Sequence, residues 1–465
     1  MKKHKTILLT TIFLGLSILS FGQSKWTCFP NNDSLEFNSG ALGMFNYTDG
    51  STWMINVHGI YIYNGSSWSI INNKNHLTRK QISTYFVDSK HNIWIFSLPQ
   101  GFAGGGISLY NGKNWVILRK DDWDFQQPFV HHFYETSNGD VWLAISDNAL
   151  YINPIDGLAV QLGTAIINSS RWGALVQYSQ GESTTHTKDL PCSGCRFATG
   201  IYQTADKKLW FWTPSGRAFY YENGKFIQVS GKDGFHISTI ANDIVWGFND
   251  SKGDLLLTTR GKITMYNGQN WKSFGISNMA VPYSLKETQD GSLVIIASSA
   301  IYKLDGVDKW KEQFEFEKGI YSEHPQIAAR TDRERNIWVL YNGELGVYNG
   351  SQFNWEREGY DLKLLFIDQQ NRVWTANKMG VLFKENGTWE NFDNIKKAKG
   401  ILEDYNGTVW VSTENDGIFS YSDGKWQSYT EQNGLLSSKI LKIFLTADNT
   451  LWVITDKGLC KFNRN

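Results

Sequence analysis

The stretch from Ile401 to Tyr429, ILEDYNGTVWVSTENDGIFSYSDGKWQSY, recurs in recognisable copies from residue 45 to the C-terminus, so the chain must fold as many small equivalent units. Within the unit, Ile401 to Asp404 reads as a strand ending in an acid, and Asn406-Gly407 as a hairpin turn with positive φ at both central residues. Thr408 to Thr413 alternates Val409 and Val411 with Trp410 and Ser412, the two-residue period of a strand. Asn415-Asp416-Gly417 turns into Ile418 to Tyr421, and Asp423-Gly424 turns into Lys425 to Tyr429. The unit is a four-stranded antiparallel meander.

The second strand recurs with its Trp at Trp53, Trp94, Trp142, Trp210, Trp338, Trp374, Trp410 and Trp452, and degenerates to Leu256 and Val294 in two further copies. That makes ten. The second hairpin recurs as Tyr63-Asn64-Gly65, Tyr110-Asn111-Gly112, Tyr266-Asn267-Gly268 and Tyr348-Asn349-Gly350. Most markers lie 36 to 48 residues apart, one four-stranded blade. The interval of 68 residues from Trp142 to Trp210 is longer; residues 158–198 lack the pattern and read as an insertion in the third repeat, with a degraded extra blade as the alternative. Gly 43 against Pro 8 and aromatic residues at 15% fit an all-β chain rich in tight turns.

Meanders that cannot bury both faces alone stack radially, which predicts an all-β propeller of about ten four-stranded blades; two smaller rings are the alternative. The last copy ends one strand short at Gly458 to Phe462, and Ser24 to Phe29 matches Gly424 to Tyr429. The N-terminus therefore supplies the missing outer strand and closes the ring, leaving no open edge. Aligned on the ninth copy, Cys460 takes the place of Phe419 and Cys28 that of Ser428. These are directly opposed positions, which predicts a Cys28–Cys460 disulfide. Cys192 and Cys195, in Pro-Cys-Ser-Gly-Cys, read as a local disulfide pinning the inserted segment, since one Cys-x-x-Cys with no second pair is a weak metal signal.

Met1-Lys2-Lys3-His4-Lys5 followed by the apolar run Ile7 to Phe21 reads as a signal peptide, residues 1–22, cut after Gly22, with the propeller over 23–465. The mature chain is expected to be exported, periplasmic or extracellular, with no membrane span. Lys+Arg and Asp+Glu are both 45, which gives no field to recruit nucleic acid.

The pattern Asp-x-x-Gly-x-Leu/Val-Trp-Val-x-Thr followed by Gly-Leu/Ile-x-x-Tyr resembles the two-component regulator propeller repeat. Trp410-Val411-Ser412-Thr413 before Gly417-Ile418, and Trp452-Val453-Ile454-Thr455 before Gly458-Leu459, carry it most clearly. The resemblance implies a propeller of the kind that forms the periplasmic sensor half of hybrid histidine kinases detecting glycan fragments. No transmembrane helix, kinase or DNA-binding segment follows Asn465, so signalling would need a separate partner.

The repeated Trp residues read as blade-packing groups, and acids such as Asp49, Asp88, Asp206, Asp290, Asp332, Asp368, Asp404 and Asp448 as turn residues. Binding candidates are residues that break the pattern near loops: Gln100 and Phe102 in an enlarged Gly-rich loop, Arg79 and His131 at blade junctions, and Trp212 and Arg217 around a loop of the fourth repeat. Adjacent His131 and His132 point to opposite faces of a strand and are poor joint metal ligands. No Ser-His-Asp order, His-Glu-x-x-His or Walker motif is visible, and no cofactor or metal is implied. The leading expectation is a non-catalytic recognition or sensor propeller that binds a glycan or protein partner through loops on one face. A propeller polysaccharide lyase or glycoside hydrolase, with paired carboxylates across the channel, is second. A structural envelope or secretion-associated subunit is third.

Overall fold

The computed structural model describes residues 25–464 apart from 33–34, 72–76, 78–80, 98–105, 119–128, 147–172, 193–194, 196–197, 214–215, 236–245, 260–261, 276–281, 306–308 and 317–325. Within these, forty strands form ten four-stranded antiparallel sheets, each a blade of a β-propeller. Blade 9 shows the plan: strand A is Ala398–Glu403, B is Val409–Thr413, C is Ile418–Ser422 and D is Lys425–Tyr429, paired in that order. Strand A is innermost, and successive A strands touch around the axis, including Ile440–Leu445 of blade 10 against Ala41–Asn46 of blade 1.

Closure follows the expected register. Trp26–Pro30 pairs with Gly458–Phe462 as the outer strand of blade 10, with Trp26 opposite Phe462 and Cys28 opposite Cys460. The two cysteines form a disulfide, with Cα atoms 4.1 Å apart. Cys192 and Cys195 form the second. A buried apolar cluster lies between each blade and the next, and one of them joins Trp452 and Ile454 of blade 10 to Ala41, Met54 and Tyr61 of blade 1. The ten blades therefore form one closed ring; two smaller rings would leave that last interface unmade.

Residues 158–198 are only partly an insertion. Gly173–Ser179 and Glu182–His186 are strands C and D of blade 3. The repeat was hard to see there because strand D, Glu-Ser-Thr-Thr-His, has no Trp, and Gln180-Gly181 replaces the usual Asn-Gly turn.

The A–B turns differ from the two-residue hairpins expected of Asn-Gly. In blade 9 the Asp404 N–H donates to Thr408 O and the Gly407 N–H to Asp404 O, and only Gly407, not Asn406, has positive φ. The reason is the acid: Asp404 Oδ1 accepts from the N–H groups of Asn406 and Thr408, wrapping the chain into a five-residue turn. Its Oδ2 accepts from Trp410 Nε1 at 2.7 Å. The same indole-to-carboxylate bond joins Trp94 to Asp88, Trp338 to Asp332 and Trp374 to Asp368 at 3.1, 3.0 and 2.6 Å. The turn acid thus both caps the turn and orients the packing Trp. In the C–D hairpins, true two-residue turns do occur, as at Asp423-Gly424, where both residues have positive φ.

Each Trp reaches across to strand C of the following blade. Trp374 meets Tyr421, Trp410 meets Phe462, Trp452 meets Tyr63, Trp53 meets Tyr110 and Trp210 meets Tyr266, with ring centroids 4.7 to 5.9 Å apart. Trp338 meets Lys384 instead, whose ammonium lies 5.3 Å from the ring centroid. Such aromatic pairs contribute roughly 0.5–1.5 kcal/mol each beyond their buried area.

Backbone staples also tie neighbouring turns together. The N–H groups of Ser89, Ser137, Ser251 and Gln369 donate to Glu135, Gln203, Glu287 and Glu403, the last strand-A residue of the next blade. Where that residue is Ile367 or Leu445, Asn371 and Asn449 in the next turn accept instead. Asp448 N–H donates to Asn46 Oδ1, carrying the staple across the closure.

Candidate functional site

Strand direction divides the ring into two ends. At one, the D–A and B–C connections emerge; His131, Trp212 and Arg217 lie there, while Arg79, Gln100 and Phe102 lie outside the described residues. His131 sits at a bulge in strand A of blade 3 and is 7% exposed. The neighbouring His132 Nδ1 accepts from the Ile201 N–H of blade 4 at 2.8 Å, and burial pushes its imidazole down to about 4. The neutral ring therefore serves as an inter-blade acceptor. Trp212 is 4% exposed, wedged between two backbones that only glycine permits: a Cβ on Gly200 would lie 1.8 Å, and one on Gly247 2.4 Å, from its ring. Arg217 is exposed, and its backbone N–H donates to Thr213 Oγ1. The structure thus surrounds His131 and Trp212 with packing and leaves Arg217 accessible.

The other end carries the A–B turns, and there the repeat fails in one place. Blade 5 has Leu256 where eight blades have Trp, and blade 6 has Leu304 where the facing aromatic would stand, paired along the strand next to Lys303, which opposes Val294. Both halves of the aromatic contact are missing between these two blades. At the following interface Val294 also replaces Trp, yet Tyr348 remains, 0% exposed, and Lys303 Nζ bridges Asp290 and Gly350 O at 3.0 and 2.9 Å.

Between blades 5 and 6 the deficit leaves a cleft of about 590 Å³. Met265, Phe274, Leu293 and Leu304 give it apolar walls, and Asp250, Asp254 and Asp290 line it as acids, with Lys252 and Lys272 also on the lining. Asp250 keeps its turn role, accepting at Oδ1 from Lys252 and Asp254 N–H at 3.0 and 2.8 Å. Its Oδ2, which holds an indole N–H in blades 2, 7, 8 and 9, and the Asp254 carboxylate carry no hydrogen bond among the described residues. Burial raises the Asp254 carboxyl above the ordinary carboxylate range, and the adjacent Asp250 adds to the shift. Asp290 is held well below that range, first by the Thr288 hydroxyl and then by Ser292 N–H and Lys303. A second cleft of about 580 Å³ is lined in part by Ser89, Glu135, Ser137 and Gln203, whose lining polar groups are paired with one another in the staples.

Sequence reasoning missed Asp250, Asp254 and Leu304. The signal was present: two consecutive copies lack the Trp, and the second also lacks the Tyr before its hairpin.

No protein-family model matches the chain, and no curated protein matches its sequence. Similar solved structures include the extracellular domain of the hybrid two component system BT4673 from B. thetaiotaomicron, at 16% identity and TM-score 0.35 over 94% of this chain and 65% of that one. The extracellular domain of BT3049 from the same organism gives 16% identity and TM-score 0.31 over 91% and 68%. A streptogramin B lyase gives 16% identity and TM-score 0.32 over 58% and 93%. Among the described residues no helix is long and apolar enough to cross a membrane.

Proposed function

We propose that the protein is an exported recognition propeller that holds a glycan or protein ligand at the A–B turn end of the ring. The observation that carries this reading is the cleft between blades 5 and 6. The other described inter-blade spaces keep the indole, the facing aromatic or both, whereas this one lacks both and keeps the acceptor beside it. A cleft of this size, with apolar walls and a few aimed polar groups, has the proportions of a ligand site. A rigid ring offers it without reorganisation, which lowers the entropic cost of binding. A thermal-shift screen against oligosaccharides, cell-envelope components and amphipathic peptides tests the reading. A stabilising hit that depends on Asp250 and Asp254 is expected, and silence of the folded protein across the panel contradicts it.

A second reading, glycoside hydrolysis, draws on the Asp254 carboxyl, which burial raises, lying with the Asp250 carboxyl on the lining of one cleft. New reducing ends after incubation with polysaccharides, lost in Asp254→Asn, would favour it over binding alone.

A further inference from the structure

The cleft that carries the recognition reading has a shape whose natural occupant is displayed elsewhere in the same molecule. In blades 2, 8 and 9 the turn acid takes two backbone N–H groups on Oδ1, in blade 7 one, and in all four an indole N–H on Oδ2. Blade 5 retains the acid and both backbone bonds but supplies Leu256 in place of the indole. Across the gap, Leu304 replaces the aromatic that would cover that indole. Acceptor, apolar walls and space remain, while donor and ring are gone.

We propose that this cleft receives a tryptophan side chain from a partner polypeptide, its indole N–H donated to Asp250 Oδ2 and its ring packed between Met265 and Leu304. The inference rests on the recognition reading and narrows its ligand to an aromatic, donor-bearing side chain of a protein. The N–H matters because Oδ2 has no other donor among the described residues, so a purely aliphatic occupant would bury it unpaired. The ring matters because flat aromatic groups fill this position in the sibling interfaces, as Trp374 and Trp410 do against Tyr421 and Phe462. Asp254 extends the acidic side of the cleft, which favours a neutral or positively charged sequence around the inserted residue over an acidic one.

The test is a ligand-observed NMR titration of the full mature chain with N-acetyl-tryptophanamide and tryptamine, with N-acetyl-leucinamide and indole-3-acetate as controls. N-acetyl-tryptophanamide and the cationic tryptamine are both expected to bind, tryptamine more tightly, while the leucine and acetate probes do not. Leu256→Trp combined with Leu304→Tyr restores the repeat's own contact and is expected to remove binding. Asp250→Asn keeps the backbone bonds through its carbonyl but turns an amide N–H₂ toward the ring. It should weaken binding about tenfold, the value of one hydrogen bond to a charged acceptor, and it supplies the test if the filled variant fails to fold. Equal binding of leucine and tryptophan probes, or unchanged binding in both variants, would overturn the proposal. Oligosaccharides that bind at Asp250 while the indole probes do not would overturn this inference and leave the recognition reading intact.

Discussion

Cys28 and Cys460 stand as direct register partners across the seam of blade 10, joined by a disulfide although 432 residues apart in sequence. The bond reinforces a strand pairing that already closes the ring. Cys28→Ser with Cys460→Ser should therefore leave the fold intact and lower stability by about 2–5 kcal/mol, the usual loss for a native bridge. Urea unfolding under non-reducing conditions measures it, and non-reducing peptide mapping should recover the two cysteines in one linked peptide pair.

Asp404 is fully buried and is the acceptor for four donors: the Asn406 and Thr408 N–H groups, Trp410 Nε1 and Arg464. Removing it strands buried donors, each of which is costly to leave unpaired. Asp404→Ala should cost about 3 kcal/mol, and Trp410→Phe, which deletes one donor and keeps most of the ring, about 1 kcal/mol. The double variant should cost less than the sum, because the bond between them is lost only once.

His132 is held neutral by burial and by the Ile201 N–H that points at its Nδ1. Its folded pKa of about 4 lies below the unfolded value of 6.5, so below that value the unfolded chain binds the proton more readily. Stability is fully present above pH 6.5 and falls as the pH drops from 6.5 toward 4, by at most about 3 kcal/mol from this group. His132→Gln keeps an acceptor without a titrating ring. The difference in urea midpoint between pH 7 and pH 4.5 should be smaller in the variant than in the wild type.

Gly200 and Gly247 leave room for the Trp212 indole on both sides. Gly200→Ala places a Cβ inside that ring and should destabilise by about 2 kcal/mol, with Trp212→Leu in the same chain recovering part of the loss. Thermal melts of the three variants decide it. Equal costs in the single and double variants would show that the indole is not what fills the space.

The fold was legible because each repeat carries its own turn chemistry and strand period, so ten weak signals add. The closing strand and the Cys28–Cys460 pairing followed from aligning the ends on an intact copy. Turn type was less legible: Asn406-Gly407 reads as a two-residue hairpin until the Asp404 carboxylate is seen to gather two further N–H groups. Strands C and D of blade 3 escaped notice because Glu182 to His186 has neither the Trp nor the Asn-Gly that marks its siblings. Trp212 attracted attention as an aromatic that breaks the pattern, but its burial depends on two glycines, one of them in the next blade, and sequence distance hides that. The cleft was missed for the opposite reason. It is marked by residues that are absent, and Leu256 and Leu304 look unremarkable until the partners they replace are known to touch.

The most direct test is a crystal structure of residues 23–465 grown with N-acetyl-tryptophanamide. One ring of ten blades is expected, with indole density between blades 5 and 6 and its nitrogen within hydrogen-bond distance of Asp250 Oδ2. A cleft closed by the protein's own side chains, or two separate rings with Cys28 far from Cys460, would contradict this expectation.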